Sequence, residues 1–245
     1  LLEYPSLDPA PSLRELDSLA RRAREIADGS DAESLVAALN TVLFVEAGFT
    51  GNASSYYDPK NSFLNDVLER RTGIPITLSV VYLEAAWRLG LPLRGIGFPG
   101  HFLVGYTEAG SSTYLDPFNR GARLTRDQCA ALVPGREDGV DLDASFFEPV
   151  TNRQILLRML TNLKLIYVQR SAFDRAISVI DRMLQLEPNA LTELRDRGLI
   201  RLQAGEVRRA AADLESFLDR APAGADRETA VTALGAARRS LARFN

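Results

Sequence analysis

The sequence predicts an α+β domain, in which helices pack on a small antiparallel sheet, followed by an all-α segment of helical repeats. Three observations support this fold class. Apolar residues recur at helical spacing through the first third of the chain, and short strand-like runs separated by turn residues follow Pro92. From Thr151 onward the helical spacing returns and repeats itself. We therefore expect two domains, at residues 1–150 and 151–245.

The composition is that of an ordinary globular protein, with 46% hydrophobic and 25% charged residues in a chain of 245. One cysteine excludes an intrachain disulfide framework, and one cysteine with one histidine cannot form the usual His/Cys zinc site. No apolar run reaches the ~20 residues of a membrane span, and the first residues do not read as a signal peptide. We expect a cytoplasmic protein without metal or cofactor.

The charge pattern argues against a nucleic-acid partner. The net charge is -3, and the arginines of the C-terminal part alternate with acids, as in Arg195, Asp196 and Arg197. Nucleic-acid binding favours a clustered basic face, whereas interleaved charges are typical of solvated helix faces with local ion pairs. The second interpretation is the one we adopt.

Three helices are predicted before the strands. The first begins with a capping box formed by Ser12 and Glu15, the second begins near Asp31, and the third spans 62–71. The loop before the third helix contains Tyr57, a candidate for lining a binding cleft. Asn61 is a candidate for the same cleft or for capping the third helix.

A fourth, central helix follows. Pro75 suits its first turn and Gly90 suits its end. The residues between them are apolar almost all round, which predicts a helix buried on every side.

Three strands are predicted next, over 93–98, 101–107 and 113–116. Gly95, Gly97 and Gly100 form the pattern G-x-G-x-x-G. A dinucleotide site needs a helix directly after these glycines, and here another strand follows, so we reject such a site.

The second of these strands begins with His101, the only histidine. A hairpin register symmetric about its turn would place His101 directly opposite Asp116, with the two side chains on one face. The carboxylate would then fix the ring tautomer and leave the other nitrogen as a base. The alternative is that His101 is buried and satisfied by Asp116 for structural reasons alone.

The C-terminal segment repeats at an interval of 34 residues. Five of seven aligned pairs keep their character, and Arg197 and Arg201 depart from it. Gly198 falls where two helices must approach closely. The pattern resembles tetratricopeptide repeats, about two of them, followed by a capping helix over 227–243.

The central segment resembles a known family. The stretch "NSFLNDVLERRTGIPITLSVVYLEAAWRLGLPLRGIGFPGHFLV", followed by "LDPFNRG", is similar to the bacterial SirB-one family. That family couples a papain-like, transglutaminase-like core to tetratricopeptide repeats. The resemblance implies a triad of a cysteine at the start of the buried helix, a histidine on one strand and an aspartate on the next. His101 and Asp116 match the last two positions.

The cysteine of that triad is missing. The position implied by the resemblance holds Ile74, Pro75 or Ile76, none of which is a nucleophile. Cys129 lies after the hairpin, where we expect a small buried side chain. Thr77 and Ser79 are the nearest hydroxyls, and Thr77 is a weak candidate for a replacement nucleophile.

Two functions follow from these residues. The first is a non-catalytic, transglutaminase-like protein that binds a protein or peptide partner through its cleft and its repeats. The second is an amide hydrolase or acyl transferase that uses His101 and Asp116 with a hydroxyl of Thr77 or Ser79, or with water. We favour the first, because the thiol is absent.

Overall fold

A computed structural model describes residues 3–108, 110–133 and 143–242. The chain divides into two compact units. One contains Ser6–Met159, and the other contains Leu160–Asn245 together with Leu1–Pro5. The division falls inside a single helix, Asn152–Gln169.

Helices dominate both units, and the α+β class followed by helical repeats is confirmed. No helix in the part of the chain that the structure describes combines the length and hydropathy of a membrane span. In chain order the α-helices are α1 Ala10–Ile26, α2 Ala32–Asn40, α3 Leu64–Arg70, α4 Pro75–Arg88, α5 Arg126–Ala130, α6 Asn152–Gln169, α7 Phe173–Leu186, α8 Leu191–Gln203, α9 Val207–Leu218 and α10 Ala225–Ala242. The strands are β1 Thr50–Gly51, β2 Thr72–Gly73, β3 Arg94–Ile96, β4 Leu103–Glu108, β5 Ser111–Asp116 and β6 Ala122–Leu124.

The first two helices differ from the prediction at their ends. The capping box of Ser12 and Glu15 is wrong, because α1 already begins at Ala10 and Ser12 lies inside it. Asp31 does cap α2, since its carboxylate accepts a hydrogen bond of 2.9 Å from the amide of Ser34. The helix continues beyond Asn40 as a π-helix, Thr41–Glu46.

Helix α4 is the centre of the first unit, and ten of its fourteen residues are buried. It begins at Pro75 and ends before Gly90, whose φ of +81° continues the chain out of the helix at a conformation that glycine adopts without strain. The prediction of a buried central helix from apolar residues on all sides is therefore correct.

The sheet is a four-stranded antiparallel meander in the order β3-β4-β5-β6. Val104, Tyr106 and Leu115 lie on the side that joins the main core with α4. Leu103 and Tyr114 belong to a second cluster, which also contains Cys129 and Phe147. The fourth strand, β6, was not predicted; it follows two left-handed residues that reverse the chain, Arg120 and Gly121.

The C-terminal part of α6, from Leu160, and helices α7 to α10 form the repeat unit. Gly198 of α8 lies so close to α9 that a Cβ atom there would be 2.8 Å from Cγ of Leu214. This close approach is the physical reason for the small residue at that position of the repeat. The capping helix is α10; Arg243, the predicted last residue of that helix, lies outside the described residues.

Arg195 forms the predicted local pair with Asp196, at 2.8 Å. The prediction of solvated faces is wrong for Arg197 and Arg201, which pair between helices. Arg197 donates to both carboxylate oxygens of Asp213 at 2.9 and 2.7 Å, and Arg201 donates to Asp213 at 2.7 Å. Asp213 is only 6% exposed. The two arginines that depart from the repeat pattern therefore hold a buried carboxylate of α9 against α8.

We predict that Asp213→Ala lowers the free energy of unfolding by about 1.5–3 kcal/mol, because two partly buried guanidinium groups lose their buried carboxylate. Arg197 keeps Asp181 at 2.7 Å and Arg201 keeps Glu206 at 3.6 Å, which limits the loss. The matched control is Glu215→Ala on the same helix, which removes an exposed pair with Arg238 and should cost less than about 1 kcal/mol. Urea unfolding followed by circular dichroism measures both. Equal losses in the two variants would contradict the prediction.

Candidate functional site

His101 lies at the end of a tight turn, two residues before β4 begins. Its amide donates to the carbonyl of Phe98 at 3.1 Å, which closes the turn. The side chain is 11% exposed, and Nε2 lies 2.9 Å from Oδ1 of Asp116. The two atoms lie within hydrogen-bond distance, but the ring N–H points away from the line that a good hydrogen bond requires. The predicted pair of His101 and Asp116 thus meets in the structure, but not with ideal alignment.

The register that suggested this pair is wrong by two residues. Val104 pairs with Leu115, so the extended ladder places Leu103, not His101, opposite Asp116. A shift of two residues keeps the same face of the sheet, because side chains alternate with a period of two. The histidine therefore reaches the carboxylate diagonally, from the turn before the strand.

Asp116 is 1% exposed, and its carboxylate is held from several sides. Oδ1 accepts hydrogen bonds from the amides of Phe118 and Asn119 at 3.0 and 3.3 Å, and Oδ2 accepts one from the Asn119 side chain at 2.7 Å. Burial acts to raise the pKa of Asp116, but His101 and the Asn119 hydrogen bonds outweigh it and hold the pKa below its usual value. The carboxylate is therefore ionised at neutral pH.

One wall of the site is aromatic. The ring of Phe118 meets the ring of His101 edge to face, with 5.9 Å between centroids. Phe118 packs against the backbone of Gly51 in β1, where a Cβ atom would lie 2.6 Å from the ring. Glycine at this position lets the aromatic ring lie flat against the strand, beside the imidazole.

The start of α4 contributes no reactive side chain. Ile74 and Ile76 are 1% and 2% exposed, and Pro75 between them is buried. The hydroxyl of Thr77 donates to the carbonyl of Asn61 at 2.8 Å and accepts from the amide of Ile74 at 3.1 Å. The other candidate hydroxyl, Ser79, lies 3.3 Å from the carbonyl of Phe102. Both hydroxyls thus have backbone partners.

Asn61 does not cap α3, since the residue before that helix is Phe63 and no side chain caps it. Its side chain is fully buried and donates to the carbonyls of Ser55 and Tyr56 at 2.8 and 3.1 Å. Asn61 therefore fixes the preceding loop. At its outer end Tyr57 is 60% exposed and contacts Tyr56 edge to face at 5.3 Å.

Arg158 of α6 is a site residue that sequence reasoning missed. Its guanidinium donates to the carbonyls of Phe98 and His101 at 3.0 and 2.6 Å. No local signal marks it, because 57 residues separate it from His101 and its own helix reads as ordinary.

Cys129 is fully buried in the second cluster, together with Leu103 and Tyr114. Burial, with a smaller contribution from the charge of Asp116, raises the pKa of its thiol to about 11. The thiol is thus protonated at neutral pH. Among the described residues no three His, Cys, Asp or Glu side chains gather in a way that could hold a metal ion.

We predict that the stabilising contribution of Asp116 depends on pH. Its pKa is lower in the folded than in the unfolded chain, so the contribution is complete above about pH 5 and disappears as the pH falls below about 4. The difference in free energy of unfolding between the wild type and Asp116→Asn should shrink over that interval in urea titrations. Asp28→Asn, at an exposed position, is the control. A difference that stays constant from pH 7 to pH 3 would refute the assignment.

We also predict that iodoacetamide alkylates Cys129 in the folded protein at least on the order of 100-fold more slowly than free cysteine at pH 8, because the thiol is buried and protonated. In urea the rate should rise to that of the free amino acid. Mass spectrometry of timed samples measures both rates, and fast labelling of the folded chain would show an accessible thiolate.

Two family models match the chain. The model of the transglutaminase-like superfamily matches residues 11–161, and a tetratricopeptide repeat model matches residues 163–244. The core and the repeats implied by the resemblance are therefore confirmed.

Similar proteins occur in bacteria and in animals. A UPF0162 protein of Xylella fastidiosa is 40% identical over 225 residues, which cover 90% of this chain and 80% of the relative. One of Vibrio cholerae is 30% identical with the same coverage. F-box only protein 21 of Mus musculus is 34% identical over 157 residues, 61% of this chain and 24% of that protein. No solved structure matches. The chain belongs to the UPF0162 family, with a transglutaminase-like domain followed by tetratricopeptide repeats.

Proposed function

We propose that this protein recognises a protein or peptide partner and does not transform a substrate. Its transglutaminase-like domain keeps the base and its carboxylate partner, His101 and Asp116, as the remnant of a catalytic site. The surface around Tyr57 in the first unit and the helical repeats would each bind the partner.

The observation that carries this proposal is the apolar start of α4. A transglutaminase-like triad resembling that of the family needs a thiol at this helix end, where the partial positive charge of the N-terminus stabilises a thiolate. Here Ile74, Pro75 and Ile76 occupy it and are buried. Covalent catalysis requires a nucleophile that a base can deprotonate, and none of these side chains carries one.

The neighbouring hydroxyls support the same conclusion. Thr77 donates its proton to the carbonyl of Asn61, so the proton is directed at the backbone and not at the imidazole. Ser79 is fully buried beside the carbonyl of Phe102. Hydroxyls on buried helices that bond to backbone carbonyls in this way have a structural role.

The repeats support the binding role in this proposal. Tetratricopeptide repeats commonly mediate protein interactions, and stacked repeats create extended concave surfaces that hold peptides. In the first unit, Tyr57 presents a large and mostly exposed aromatic ring, a residue type enriched among the energetic centres of interfaces. We place the protein in the bacterial cytoplasm, a reducing compartment that suits its single free thiol.

The retained pair of His101 and Asp116 favours a second candidate function, an amide hydrolase or acyl transferase. An ionised carboxylate 2.9 Å from an imidazole can orient that ring to activate a water molecule. The test below separates this candidate from the first.

The first arm of the test is an activity assay with chromogenic esters, anilides and glutamine amides. We expect the wild type and His101→Ala to show the same background rate, within about twofold, since a positioned general base contributes about 10²–10⁴-fold. A rate that falls tenfold or more in His101→Ala would overturn the non-catalytic proposal and support the hydrolase.

The second arm measures binding with the full chain as bait, followed by affinity measurements on each recovered partner. We expect Tyr57→Ala to weaken binding of the partner at least tenfold, as loss of an interface hot spot of about 2 kcal/mol does. Val45→Ala removes another exposed apolar side chain, 76% exposed, and is the matched control. If neither variant changed the affinity for a partner, recognition through the surface around Tyr57 would be contradicted.

A further inference from the structure

We propose that Arg158 is the positioning residue of His101, which holds the turn that aims the imidazole at Asp116. This role is assigned by hydrogen-bond geometry within the first unit. It does not depend on whether the site binds a partner or turns over a substrate.

The backbone around His101 has little support from the sheet. β4 begins at Leu103, so the histidine precedes the ladder of inter-strand hydrogen bonds. Its amide donates to Phe98 within its own turn, and Gly100 inside that turn has a φ of +68°. A short turn with a glycine in the left-handed region does not fix the direction of a side chain at its end by itself.

Arg158 provides the missing support from a distant helix. One terminal nitrogen of its guanidinium donates to the carbonyl of Phe98 at 3.0 Å and to that of His101 at 2.6 Å. These carbonyls belong to the first and last residues of the turn, so one side chain ties both ends together. In the described part of the chain, Arg158 is the hydrogen-bond partner of the His101 carbonyl.

The guanidinium is itself held in place. It lies over the ring of Phe102, 5.5 Å from the centroid, a position at which a cation is attracted to the aromatic face. A glycine of the neighbouring strand leaves room for the aromatic ring. A Cβ atom on Gly95 would lie 2.9 Å from the Phe102 ring.

Within the part of the chain that the structure describes, the charge of Arg158 is not used in an ion pair. No carboxylate in the described ranges lies within ion-pair distance of it, and burial lowers its pKa, with only Tyr56 opposing this effect. A half-buried cation without an acidic partner is costly unless its hydrogen bonds compensate. Bonds to two backbone carbonyls of one turn provide that compensation, which accounts for an arginine at this position.

The contact that Arg158 controls is sensitive to small movements. Nε2 of His101 is within 2.9 Å of Asp116, but its N–H is out of line. A slight displacement of the turn therefore decides whether the neutral ring carries its proton on Nε2, facing the carboxylate, or on Nδ1.

The test uses the fact that the chain has a single histidine, so its imidazole signals need no assignment. In ¹⁵N-labelled protein, at a pH above which the imidazole ¹⁵N shifts no longer change, long-range ¹H–¹⁵N correlation spectra give the ratio of the two tautomers. We expect the Nε2–H form to predominate in the wild type. In Arg158→Met the ratio should move about tenfold toward Nδ1–H, because the turn loses both hydrogen bonds that the guanidinium donates to it.

Two further variants make the result decisive. Arg158→Lys keeps a cation with donor groups but lacks the planar fork, so a smaller shift in the same direction is expected, and it serves if Arg158→Met does not fold. Arg153→Met removes an exposed arginine from the same helix and should leave the ratio unchanged. A merely structural role would lower the melting temperature without moving the tautomer ratio. An unchanged ratio in folded Arg158 variants, or an equal shift in Arg153→Met, would overturn the proposal.

Discussion

The buried carboxylate of Asp116 is the constraint on which the site depends. An ionised group that is 1% exposed must have its oxygens satisfied, because an uncompensated charge in the interior costs several kcal/mol. Two backbone amides and one side-chain amide donate to it, and the imidazole of His101 lies 2.9 Å away. The chain therefore turns sharply after β5, and this turn places Phe118 against Gly51 and beside the histidine. The end of β5, the turn that follows it and the position of Phe118 are thus all linked to the carboxylate of Asp116.

This constraint also gives His101 and Asp116 a structural reason to meet. Removing Asp116 leaves a largely buried imidazole without its carboxylate, so the pair contributes to the fold whether or not it transfers protons. The start of α4 is under the opposite constraint. It is packed on all sides, and Ile74, Pro75 and Ile76 fill their positions without any polar group to satisfy. The polar pair of His101 and Asp116 and the apolar start of α4 are thus compatible within one domain.

Sequence reasoning found the parts of the site whose signals are local. The apolar pattern identified α4, and the alternation of β4 and β5 brought His101 and Asp116 to one face, although the register was two residues wrong. The error was harmless because a shift of two preserves the face. Asn61 was expected near the site. Its role in fixing the loop that contains Tyr57 depends on hydrogen bonds to the carbonyls of Ser55 and Tyr56, which no local pattern predicts. No local sequence pattern marked Arg158 as a residue of the site.

The sequence by itself determined the class of the fold, the two-part organisation, the buried central helix and the close packing at Gly198. These properties follow from periodicity and from residue size, which act over a few neighbouring positions. Only the tertiary structure decided which charges meet. Arg158 reaches His101 across 57 residues, and Arg197 reaches Asp213 from the next helix. Such partners are chosen by the distance between elements after packing, and the order of residues along the chain does not encode that distance in any local pattern.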